Sequence, residues 1–87
     1  MEAQGHILMA WDPYADPSLD NLSPTQETVL AHFRRHPNES PTLPALMEAL
    51  PDCDPGNIAY ALGILTGLRA IQWIDDTRAD VTRWRLR

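Results

Sequence analysis

The 87-residue chain has no lysine, one cysteine, one phenylalanine and four glycines, and no apolar run long enough to span a bilayer. Each shortage removes a class of function. With Cys53 alone, neither an internal disulfide nor a multi-cysteine zinc site can form, and a structural thiol is the simple reading. Of the three histidines, His32 and His36 lie four apart on an expected helix, a spacing that can share a metal. No further ligand falls into the pattern, so a solvated face is expected and no metal. There is no glycine-rich phosphate loop and no nucleophile, base and acid constellation, so the chain is expected not to be an enzyme and to need no cofactor. The amino terminus lacks a secretory pattern, since Glu2 stands where a basic region belongs and Asp12 and Pro13 interrupt the stretch from Ile7 to Trp11. A cytoplasmic location away from membranes is the resulting expectation.

What is present is unevenly placed. All seven basic residues are arginine, and they concentrate late in the chain. Met1 to Asp54 holds two arginines against nine carboxylates, a net of −7, whereas Pro55 to Arg87 holds five against three, a net of +2. The length allows one hydrophobic core and not two.

Residues 1–22 mix Pro13, Pro17 and three aspartates with Trp11, Tyr14, Leu19 and Leu22, the composition of an acidic, proline-rich arm. The domain proper is expected over 23–87. Ser23, Pro24 and Gln26 form a strong helix start, with a serine cap, proline where a missing N–H costs nothing, and a capping-box glutamine. Val29, Leu30 and Phe33 give that first helix an apolar face, and Pro37 ends it. A second, short helix follows Thr42, with Leu43, Leu46, Met47 and Leu50 recurring as one buried stripe before Pro51. Asp54 and Pro55 start a third helix with Ile58, Ala61, Leu62, Leu65 and Leu68 on its inner face and Gly67 weakening its end. The period then changes to two. Ile71, Trp73, Trp84 and Leu86 are expected on the inner side of a β-hairpin, with Arg83, Arg85 and Arg87 outside and a loop around Arg78.

The stretches LSPTQETVLAHF, TLPALMEAL, DPGNIAYALGILTGLRAI and IDDTRADVTRWRLR, in that order between Leu22 and Arg87, resemble the winged helix-turn-helix family, notably its MarR-type regulators. The fold class so implied is α+β, three helices followed by a two-stranded wing. In that family the third helix enters the major groove and the wing follows the backbone, so the resemblance implies double-stranded DNA as ligand, through Asn57, Tyr60, Arg78, Arg83 and Arg85. It also implies pairing into a homodimer through a segment outside the helices, for which the arm is the available part.

The outward residues of the third helix depart from that pattern. Gly56, Asn57, Ala59, Tyr60, Gly63, Ile64 and Gly67 include no basic side chain, while reading bases needs bidentate donors and holding phosphates needs positive charge. Ala59, Gly63 and Gly67, four apart, either seat the helix against its own domain or let a partner approach closely. Two readings therefore stand: a small DNA-binding regulator of transcription or of a mobile element, and a protein-binding adaptor or inhibitor of a larger complex that uses Trp11, Tyr14, Tyr60, Gly63 and Ile64.

Overall fold

A computed structural model describes residues 11–79 and 81–87. Residues 1–10, with the leading part of the arm and the stretch read for a secretory signal, lie outside the described residues, as does Asp80. The architecture is α+β, three helices followed by a two-stranded antiparallel hairpin.

Helix α1 spans Pro24–Arg35. Its start is the expected capping box: Gln26 N–H donates to Ser23 Oγ at 3.2 Å, and Ser23 N–H donates to Gln26 Oε1 at 2.9 Å. Val29, Leu30 and Phe33 are buried on one face. Helix α2, Leu43–Ala49, is capped by Thr42 Oγ1, which accepts from Ala45 N–H at 3.2 Å. Only Leu46 is fully buried there, with Leu43 and Leu50 half-buried beside it. Met47 is not part of the stripe as expected, being 37% exposed. Leu43, Leu46 and Leu50 lie within a narrow arc, and Met47 falls about 100° from Leu46, beyond what so short a helix turns toward the core.

Helix α3 spans Pro55–Gly67 and buries Ile58, Ala61, Leu62 and Leu65. Asp54 Oδ2 caps it by accepting from Asn57 N–H at 3.1 Å. The helix ends at Gly67, the residue expected to weaken its end. Arg69 N–H reaches Thr66 O and Ala70 N–H reaches Leu65 O, both at 3.0 Å, with Arg69 in the left-handed region at φ 63°. This paired closure satisfies orphan carbonyls at a position where glycine is usual. Leu22 and Ile71 complete the core from either end of the helical segment.

Strands β1 (Ile71–Asp76) and β2 (Val81–Leu86) pair Ile71 with Leu86 and Trp73 with Trp84. The inner side is only partly as expected. Ile71 is buried, and Trp84 and Leu86 are half-buried against the core, but Trp73 is 59% exposed. Pro41 O accepts from Trp84 N–H at 3.1 Å and Thr42 bridges Arg83, so β2 lies between β1 and the Pro41–Thr42 segment, and β1 is the outer strand. Pro41 suits that place because it sits at an edge and has no N–H to satisfy.

The described part of the arm doubles back as a loop. Asn21 clamps it with its side-chain amide, accepting from Asp12 N–H at 2.8 Å and donating to Asp12 O at 2.9 Å.

Candidate functional site

The capping that starts α1 also positions a surface, because α1 packs against α3 and brings the two helix starts side by side. The clamped loop lays Trp11 across them. The result is an open cleft of about 350 Å³ whose walls include Trp11, Pro24, Thr25, Gln26, Asn57 and Tyr60. Trp11 is 44% and Tyr60 65% exposed, so two large aromatic side chains stand available at its rim. The cleft thus joins Trp11, expected at a protein contact, with Asn57, expected at bases, and Tyr60, expected in either role.

The remaining sequence candidates are scattered. Tyr14 projects from the loop, almost wholly exposed. Gly63 is exposed and Ile64 half-buried, a turn farther along α3. An added Cβ at Gly63 or Gly67 would meet nothing within 4 Å, so these glycines do not seat α3 against its own domain. Arg78 is exposed in the hairpin loop and Arg85 is exposed on β2. Arg83 is half-buried instead, and its Nη1 donates to Ser40 O at 3.1 Å. Its guanidinium therefore ties β2 to the segment before α2.

No arginine or lysine occurs between Arg35 and Arg69, and Glu48, Asp52 and Asp54, on α2 and before α3, are exposed, although the Arg83 guanidinium reaches Ser40 O just ahead of that segment. A pair of histidines sits at the opposite end of α1. There the His32 and His36 rings are 4.6 Å apart, and His36 Nδ1 lies 3.4 Å from Glu39. Burial chiefly, then the neighbouring His36 and Arg35, push the His32 imidazole below its ordinary value of 6.5 against an opposing pull from Glu39. Among the described residues no three histidine, cysteine or acidic side chains come together as a metal site, and no helix is long and apolar enough to cross a membrane.

No family model, curated protein or solved structure matches this chain.

Sequence reasoning identifies Trp11, Asn57 and Tyr60 but misses the α1 side of the cleft. Pro24, Thr25 and Gln26 are read there only as capping residues. The signal that they also line a surface is that Ser23 and Asp54 start two helices with the same cap-and-proline pattern, so that two similar helix starts lie together once α1 and α3 pack.

Proposed function

We propose that the chain is a winged-helix domain that binds a protein partner, as an adaptor or as an inhibitor of a larger complex, through the cleft between Trp11 and Tyr60. The observation that carries this reading is the charge of the segment from Leu43 to Gly67, α2 and α3 with their connection, which holds three exposed carboxylates, Glu48, Asp52 and Asp54, and no arginine or lysine. Phosphates are repelled there, and among the outward residues Asn57 and Tyr60 alone offer polar side-chain groups to bases. Large aromatic side chains at a concave site are instead the typical anchors of protein interfaces. The order of three helices and a hairpin, with β2 flanked by the segment between α1 and α2, supports the winged-helix reading of the fold.

A second reading, a small DNA-binding regulator, is favoured by the exposed Arg78 and Arg85 on the hairpin. Two measurements separate them. A mobility-shift titration with duplex DNA at low salt is expected to show no complex. A photo-crosslinking residue in place of Tyr60 is expected to capture protein in cells, where the same group at Arg78 captures little. A low-salt DNA shift that disappears in Arg78→Ala overturns the protein reading.

A further inference from the structure

The start of α1 leaves one polar group unmatched. Gln26 is only 6% exposed, and Ser23 N–H donates to its Oε1, which fixes the way the amide is turned. The Nε2 of the same amide is thereby turned off that bond, and it meets no acceptor among the described residues. Gln26 lines the cleft between Trp11 and Tyr60. A donor held at the wall of a cleft and nearly out of water is costly unless something there accepts from it.

The cleft does not end at Asn57. Pro24, Thr25 and Asn57 also line a second open depression, which takes in Asp52, Cys53 and Asp54. The two form one groove over the paired starts of α1 and α3, aromatic at one end and carboxylate at the other. No arginine, lysine or histidine lines any part of it among the described residues. Asp54 Oδ2 is engaged in capping α3, whereas Asp52 is exposed and makes no ion pair among the described residues.

We infer that the occupant of this groove is an extended, basic segment of a partner protein. It seats an apolar or proline residue between Trp11 and Tyr60, accepts from Gln26 Nε2 through a main-chain carbonyl, and sets an arginine or lysine against Asp52. The inference rests on the protein-binding reading of the cleft and gives that partner its chemistry. Three observations choose this occupant. The unmatched donor needs an acceptor, and an extended chain presents free carbonyls where a helix has spent all but its last few on itself. Exposed aromatic rings in a groove suit apolar or proline-bearing extended segments. The charge at the other end is negative, so it favours a cation and opposes acidic segments and phosphates. Residues 1–10 of the chain itself hold no arginine or lysine to supply that cation.

Selection of short random peptides on the full chain, followed by anisotropy titration of the enriched peptides with a fluorescein label, tests the inference. The enriched peptides are expected to carry arginine or lysine a few residues from a proline or apolar residue, and Tyr60→Ala to weaken them about tenfold or more. Asp52→Arg is expected to weaken them about threefold or more at low salt and less as salt rises, and a selection repeated on that variant to favour acidic peptides. Gln26→Glu gives a reading in its sign. It keeps an oxygen for Ser23 N–H, so the capping box survives, with the melting temperature as the check, and it replaces only the donor. Attraction by charge alone makes this added carboxylate tighten a basic peptide, whereas loss of the Nε2 donor weakens it, by about fivefold as expected here. Peptides that depend on Tyr60 but carry no basic residue, that Asp52→Arg leaves unweakened, or that Gln26→Glu tightens, overturn the inference and leave the protein-binding reading standing. A peptide of residues 1–10 that displaces the probes makes the chain its own occupant and likewise overturns it. A silent crosslinker at Tyr60, together with no Tyr60-dependent peptide, overturns both.

Discussion

Leu46 and Leu62 illustrate what single side chains carry in a domain with one core. Both are essentially without solvent exposure, Leu46 from α2 and Leu62 from α3, and either truncation leaves a cavity that a small domain cannot close. Leu46→Ala and Leu62→Ala are each expected to destabilise by about 2 to 5 kcal/mol in chemical denaturation. A loss under about 1 kcal/mol at both would contradict their place in the core. His32 makes a pH-dependent contribution. Its folded value lies below 6.5, so the folded chain holds the proton less tightly than the unfolded one, and stability present above the unfolded value is lost as pH falls through the folded one. The melting temperature is expected to decline between about pH 7 and about pH 5, and less so in His32→Gln. Equal slopes for the two proteins would remove His32 from that role.

Among the elements, the helix starts are the most legible in the sequence. Ser23 with Gln26, Thr42 and Asp54 act as caps at the expected positions because capping is local chemistry, decided within four residues. The end of α3 falls at Gly67 as expected, but the left-handed closing position is taken by Arg69, two residues on, where no glycine marks it. Trp73 and Met47 were equally beyond reach: both have the right periodicity, and both are exposed because of what their elements pack against. The bridge at Pro41 and Thr42 has no sequence period at all, being too short to show one. Of the cleft, Trp11, Asn57 and Tyr60 are legible as exposed aromatic and polar side chains, but their meeting depends on the Asn21 clamp. The outer face of α3 yields a prediction of its own. Gly63 and Gly67 are helical, open to solvent and not at positive φ, so each alanine substitution should stabilise by about 0.5 to 1 kcal/mol. If a partner helix or strand approaches this face closely, the same methyl groups weaken its binding while strengthening the fold, a divergence that thermal melts and binding titrations measure together.

At the scale of the whole molecule, charge is uneven from element to element. The arm, α2 and the start of α3 are acidic, and the arginines after α3 lie on the hairpin and at its base. Should the DNA reading hold, nearly all attraction to phosphates comes from the hairpin, so affinity falls steeply with salt and Arg78→Ala lowers the slope of log affinity against log salt by about one unit. A salt slope unaffected by Arg78 places the contact elsewhere.

The loop held by Asn21 has a consequence for how the cleft behaves. One wall, Trp11, is fastened by two hydrogen bonds from a single exposed amide, while the other, Tyr60, stands on a helix anchored in the core. A cleft with one fixed and one tethered wall links ligand affinity to the opening of the loop, and by reciprocity anything that binds between the walls must hold the loop shut by the same free energy. Cutting the tether with Asn21→Ala would make a ligand bear the ordering of Trp11 itself, and a protease that cleaves between Asp12 and Asp20 would then report occupancy of a site it never touches.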